Sequence, residues 1–231
     1  MPIGDRPMEE KIQDVRERMA EAAAKTGRRS EDITLIAVTK LHSPEEINRA
    51  IACGITDIGE NKVQEIQAKY DKVKPVRWHM IGHLQTNKVK YIIDKVVLIH
   101  SMDSLRLAQE IDKRAGQAGR VMDVLIQVNA AGEASKFGIA PEEASGLVAE
   151  IEKTCPHVRI RGFMCVAPYE EDPNVCRPFF AAVRKLYDEG KYDCLSMGMS
   201  HDYPVAIEEG SNMIRVGRSL FGDRDYRSEE K

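Results

Sequence analysis

Lys40 stands two residues beyond the apolar run Ile33-Thr34-Leu35-Ile36-Ala37-Val38. An amine held where a buried strand opens to solvent is partly desolvated, which disfavours its charged form and frees the nucleophile to attack an aldehyde. A solvated loop lysine is the alternative reading of that position. Further along, Leu195-Ser196-Met197-Gly198-Met199-Ser200 sets two hydroxyls and a glycine between an apolar run and a helix expected from about Asp202. Backbone N–H groups in such a turn, together with a helix start, attract an anion. The next apolar run, Met213-Ile214-Arg215-Val216, leads into Gly217-Arg218-Ser219, a second turn of the same kind. Either turn alone is ordinary loop chemistry, but two in succession suit a phosphate. Arg215 lies inside its run, where a guanidinium needs an anion or a strong acceptor, either a ligand or a structural carboxylate. His79 and His83 have i, i+4 spacing, yet Gly82 and the strand-like run around them argue against a helix-borne metal pair.

The elements that must position these residues follow from periodicity. Met8, Ile12, Val15, Met19 and Ala22 fall on one helical stripe that Gly27 closes, so an opening amphipathic helix is expected over about residues 7–27. The run at residues 33–38 is β-branched and uninterrupted, as in a strand buried on both faces, and Ser43-Pro44-Glu45-Glu46 then supplies an N-cap, an N1 proline and a capping-box Glu. Further strands are expected near residues 56–59, 76–81, 97–100, 121–129, 158–164, 194–197 and 213–216. Helical patterns lie between them at 62–70, 87–93, 104–115, 141–153, 173–189 and 203–209. Eight strands alternating with helices predict an α/β fold, a single (β/α)8 TIM-type barrel over about residues 33–222 with an additional N-terminal helix, one domain across residues 1–231. The rival, an open doubly wound sheet, requires a topological switch point that the pattern does not display.

Composition narrows the function classes. The 231 residues are 42% hydrophobic and 31% charged, too apolar for a disordered chain, and a net charge of -3 lacks the basic excess of a nucleic-acid binder. No run reaches the roughly 18 apolar residues of a membrane helix, and the first residues carry no apolar signal segment, so no membrane partner and a cytoplasmic location are expected. The five cysteines are odd in number and lack a C-x-x-C pair, which points to reduced packing residues.

Six ordered motifs carry a family resemblance: Ala37-Val38-Thr39-Lys40, the stretch from Gly59 to Glu65 (GENKVQE), the stretch from Trp78 to Gln85 (WHMIGHLQ), Ser135-Lys136-Phe137-Gly138, the stretch from Leu195 to Ser200, and Arg215-Val216-Gly217. On these the chain resembles the YggS/PROSC family of pyridoxal-phosphate-binding proteins. That resemblance implies a barrel like the cofactor domain of bacterial alanine racemases and pyridoxal 5'-phosphate as the cofactor. It implies Lys40 as the Schiff-base lysine, Arg215 facing the pyridine nitrogen, and Asn61 beside the ring. Ser196, Ser200, Gly217 and the backbone of Arg218 and Ser219 would lie at the phosphate, with Met199 among the cofactor-binding residues and His79 near the site.

Three functions compete. The first is a protein that buffers pyridoxal phosphate and delivers it to recipient apoenzymes as a monomer, without a turnover of its own. Racemisation needs a second acid/base on the far face of the cofactor, which alanine racemases take from an additional domain, whereas here the eight units run to about Gly222 and leave the tail DRDYRSEEK. A guanidinium against the ring nitrogen also weakens the cofactor's electron sink. The second is a racemase or lyase with Lys40 as base and Tyr169 or His201 as partner acid. The third, a sugar-phosphate barrel enzyme, requires paired carboxylates or a metal site that the sequence does not offer.

Overall fold

A computed structural model describes residues 6–133 and 136–222; Ser135 of the fourth motif and the tail 223–231 lie outside them. Eight parallel strands close into a barrel in sequence order: β1 (Thr34–Val38), β2 (Asp57–Glu60), β3 (Arg77–Met80), β4 (Leu98–Met102), β5 (Met122–Val128), β6 (Val158–Cys165), β7 (Cys194–Met199) and β8 (Met213–Val216). Thr34 pairs with Met213 and Ala37 with Val216, which seals the ring between β8 and β1. Barrel strands tilt, and outward residues bury against helices while inward ones fill the bore.

Helix α1 (Met8–Ala24) buries Ile12, Val15, Met19 and Ala22. It packs on α7 (Tyr203–Glu208) and α8 (Arg218–Phe221), outside the ring, and thereby braces the two helices that follow β7 and β8. The capping box opening α2 (Pro44–Ala52) is formed in full: the Glu46 N–H donates to Ser43 Oγ at 3.2 Å, and the Ser43 N–H donates back to the Glu46 carboxylate at 2.8 Å. Helices α3 (Val63–Lys69), α4 (Leu105–Gln117), α5 (Ala144–Thr154) and α6 (Arg177–Asp188) complete the outer layer.

One expected helix differs. Between β3 and β4 the chain makes a 3₁₀ turn over Thr86–Tyr91; Val89, Ile92 and Ile93 are buried at helical spacing, but the segment is dominated by weak helix formers (Asn87, Val89, Tyr91, Ile92, Ile93) and does not continue as an α-helix. The helices expected from Pro141 and Pro173 likewise open with short 3₁₀ turns before α5 and α6. All five cysteines are free thiols, four of them buried. Among the described residues no helix is long and apolar enough to cross a membrane.

The bore is layered. Leu98, Leu125, Met164 and Cys194 form an apolar plug separate from the main core. Two residues further along three of these strands, alternation returns polar side chains inward, His100, Gln127 and Ser196, joined by Arg215 two beyond Met213, while after Met164 the position is Val166. The apolar plug therefore carries a buried polar layer on its carboxyl-end side.

Candidate functional site

A cavity of about 490 Å³ opens at the carboxyl ends of the strands, within the size range of small-ligand sites. Lys40 enters it from the loop after β1, Asn61 from the end of β2, Met199 and Ser200 from β7 and the turn after it, and Arg215, Gly217 and Arg218 from β8 and its turn. Val38, Ile81 and Val166 supply apolar walls. Seven of the ten residues expected from sequence therefore share one cavity, although they come from four strands. Gly82 holds the loop after β3 against Asn61, since a Cβ there would sit 2.4 Å from the Asn61 carbonyl oxygen.

The turn after β7 depends on Gly198. Its φ is +94, and a Cβ would come within 2.7 Å of Tyr203 Cα, so only glycine lets the strand fold back onto α7 this tightly. Beyond it, Ser200 Oγ accepts the N–H of Gly217 at 3.2 Å and that of Ser219 at 3.4 Å. Two backbone donors from the β8 turn thus converge on one oxygen position, the geometry of an oxyanion nest. Asp202, at the start of α7, accepts the Met199 N–H at 2.6 Å, while burial pushes its carboxyl above the usual range. Ser219 itself stands beside the cavity, its hydroxyl 3.5 Å from the Ser200 carbonyl oxygen.

Ser196 and His79 do not line this cavity. Ser196 lies wholly inside the bore, and its hydroxyl is taken by Arg215, whose Nη1 donates to it at 2.5 Å, and by His100 Nδ1 at 2.9 Å. Strand alternation explains the placement: Ser196 points inward with Cys194, whereas the turn that carries Ser200 begins only after β7 ends. Arg215 completes its contacts by donating from Nη2 to the Cys165 carbonyl at 2.8 Å, so its structural partners are a hydroxyl and a carbonyl.

The polar layer continues through the barrel. His100 Nε2 meets His79 Nδ1 at 2.9 Å, His79 Nε2 meets Asp57 at 2.8 Å, and Asp57 receives the guanidinium of Arg77 at 2.8 and 2.9 Å. Asp57 and Arg77 line a second cavity of about 480 Å³ at the opposite end of the strands. Burial, then the neighbouring His79 and Arg215, keep His100 well below the usual imidazole range, so it sits neutral between them. Burial opposes ionisation of Asp57, but the hydrogen bonds from His79, Arg77 and Thr56 outweigh it and hold the carboxyl below its usual range. Burial likewise lowers the pKa of Arg215.

Sequence reading missed His100 and Asp57, which face the bore from β4 and β2. The signal was available for His100, a polar residue within the run Leu98–Met102 as Arg215 is within Met213–Val216, whereas Asp57 opens the short polar strand β2 and carries no such mark. Tyr169 and His201 also line the cavity, but Tyr169 is 73% exposed and His201 Nε2 lies 2.8 Å from the Glu170 carbonyl oxygen. His83 stacks on Phe137 at 3.9 Å, apart from His79 in the bore.

Comparison with known proteins agrees with this architecture. The alanine racemase N-terminal domain model matches residues 12–225. A pyridoxal phosphate homeostasis protein of Aquifex aeolicus is 45% identical over 225 residues, which span 94% of this chain and 98% of that protein. Among solved structures, a protein of unknown function from Bifidobacterium adolescentis superposes with a TM-score of 0.85 at 33% identity, covering 93% of this chain and 94% of that one. PipY of Synechococcus elongatus, with PLP bound, superposes with a TM-score of 0.76 at 33% identity over 88% of this chain and all of its own. On a family match spanning nearly all of the barrel, and relatives this similar along their whole length, the chain belongs to the alanine racemase N-terminal domain family and, within it, stands with the pyridoxal phosphate homeostasis proteins.

Proposed function

We propose that this protein binds pyridoxal 5'-phosphate at the barrel mouth as a single-domain monomer, and that it buffers and delivers the cofactor rather than turning over a substrate. The observation that carries the reading is the donor set of the cavity. One amine, Lys40, shares the cavity with a buried guanidinium, Arg215, between apolar walls, with two converging N–H groups at the β8 turn. An aldehyde, a pyridine nitrogen and a phosphate on one flat apolar ring match those features in kind. When bound, the cofactor supplies an aldehyde for reversible capture and a ring that can withdraw electrons.

The chain's own residues limit what that ring does. Arg215 donates to Ser196 and to the Cys165 carbonyl, and its positive charge borders the cavity. A cation there opposes protonation of a ring nitrogen, which weakens carbanion stabilisation. His100 sits neutral behind it and offers no second charge to reverse the effect. Tyr169 stands at the rim, largely exposed to water, a setting that does not suit an acid catalyst. These features suit holding and exchange. Recipient apoenzymes are the expected partners for release.

Steady-state assays with a panel of L- and D-amino acids test this. The expected outcome is a protein that takes up the cofactor and shows no sustained turnover. Racemisation or elimination of any common amino acid, abolished by Lys40→Ala, would overturn the reading in favour of an enzyme.

A further inference from the structure

The backbone on either side of Lys40 is held by a buried charge cluster from β2 and α3. Lys69, the last residue of α3, is 8% exposed, and its ammonium donates to three oxygens: the Thr39 carbonyl at 2.9 Å, Glu60 Oε1 at 2.8 Å and Glu65 Oε2 at 2.7 Å. An ammonium has three protons, so this tripod uses every donor it has. Glu60 Oε1 also accepts the Thr39 hydroxyl at 2.7 Å, and Glu65 Oε2 also accepts the Leu41 N–H at 2.7 Å.

The placement of these bonds matters more than their number. The Thr39 carbonyl belongs to the peptide group that precedes Lys40, and the Leu41 N–H belongs to the peptide group that follows it. Both planes that fix the Lys40 Cα are therefore held by charged partners, one by Lys69 and one by Glu65. Leu41 has a φ of +66, the one positive value among the described non-glycine residues. A leucine persists in that region only where its surroundings impose it. Glu60 is wholly buried, and its second carboxylate oxygen, Oε2, has no hydrogen-bond partner. Burying three charges with an orphaned oxygen is costly.

We propose that Lys69, with Glu60 and Glu65, is the positioning device for Lys40, fixing both flanking peptide groups so that the amine is aimed into the cavity before any ligand arrives. This rests on the cofactor reading above. The step it serves is capture, in which the neutral amine adds to the aldehyde carbon and one water leaves. A preset amine speeds that step and contributes nothing to holding the ring or phosphate. Burial pushes the Glu60 carboxyl up to about 7, opposed by the Lys69 ammonium. For Glu65, burial is outweighed by the bonds from Lys69 and Leu41, and its carboxyl stays below the usual range.

Two probes separate positioning from general damage. Pyridoxal 5'-phosphate needs Lys40 for capture; pyridoxine 5'-phosphate carries a hydroxymethyl group instead of the aldehyde and reads the pocket alone. In Lys69→Met, capture of the aldehyde is expected to slow about tenfold or more, as for a nucleophile displaced by a fraction of an ångström, while pyridoxine 5'-phosphate binds within about twofold of wild type. Glu65→Gln keeps an acceptor for the Leu41 N–H and is the milder variant should Lys69→Met fail to fold; about a threefold slowing, again confined to the aldehyde, is expected. Equal losses with both probes, or no loss with either, would overturn the proposal. If the wild type itself fails to capture the aldehyde at Lys40, the cofactor reading falls instead, and the two failures are thereby told apart.

Discussion

Lys40→Ala is expected to lose covalent cofactor completely while keeping its fold. The side chain is half-buried at the cavity edge and lies outside the apolar clusters that build the barrel, so its removal leaves the packing intact. What disappears is, among the described residues, the only lysine on the cavity wall. A protein loaded with pyridoxal phosphate should absorb at about 420 nm, and the variant should instead show only the spectrum of the free aldehyde form. Retention through dialysis should fall by about a hundredfold or more, since a reversible covalent bond is replaced by phosphate and ring contacts alone. Circular dichroism and the thermal midpoint are the controls, and both should match wild type. Retention of the 420 nm band in the variant would move the attachment to another amine.

Arg215→Glu should have the largest combined effect on spectrum and stability. The guanidinium is buried among Ser196, the Cys165 carbonyl and a neutral His100. A carboxylate at this position confronts a carbonyl oxygen with no proton to share, and burial then drives it to take one up. The variant should lose about 2–4 kcal/mol of unfolding free energy, from an unpaired buried acceptor and a misplaced ionisable group. Removing the cation also lifts the repulsion that helps keep His100 neutral. The absorbance of bound cofactor should therefore acquire a pH dependence around neutrality that wild type lacks, because a ring nitrogen facing a carboxyl can gain a proton. Arg215→Lys retains the cation and should stay near the wild-type titration. An unchanged spectrum and titration in a folded Arg215→Glu protein would assign the arginine a purely structural role.

Much of this molecule is legible in local pattern. The buried run ending at Val38, the capping box at Ser43 and Glu46, and the regular return of strand and helix are each set by residues close in sequence, and each appears in the fold. The same holds for the turns at Gly198 and Gly217, whose small residues mark close backbone approach in the sequence itself. Non-local relations are harder to read. The family resemblance implies Ser196 at the phosphate, yet strand alternation sends its hydroxyl into the bore, where its partner Arg215 lies 19 residues away. The Lys69 cluster joins residues up to 30 positions apart, and its helix members Glu65 and Lys69 each resemble an ordinary helix-surface residue. On α3 the Glu65 and Lys69 spacing reads as a solvated i, i+4 pair; only closure of β1 beside β2 buries it. The 3₁₀ turn at Thr86–Tyr91 is hidden for the opposite reason, because Val89, Ile92 and Ile93 have helical spacing in a segment dominated by weak helix formers.

The claim on which the rest depends is that the Lys40 amine, at the mouth of this barrel, holds the cofactor. Reduction of the cofactor-loaded protein with borohydride, followed by peptide mass mapping, tests it most directly. One pyridoxyl group per chain is expected, on the peptide containing Lys40. A label on Lys62 or Lys136, with Lys40 unmodified, would contradict it.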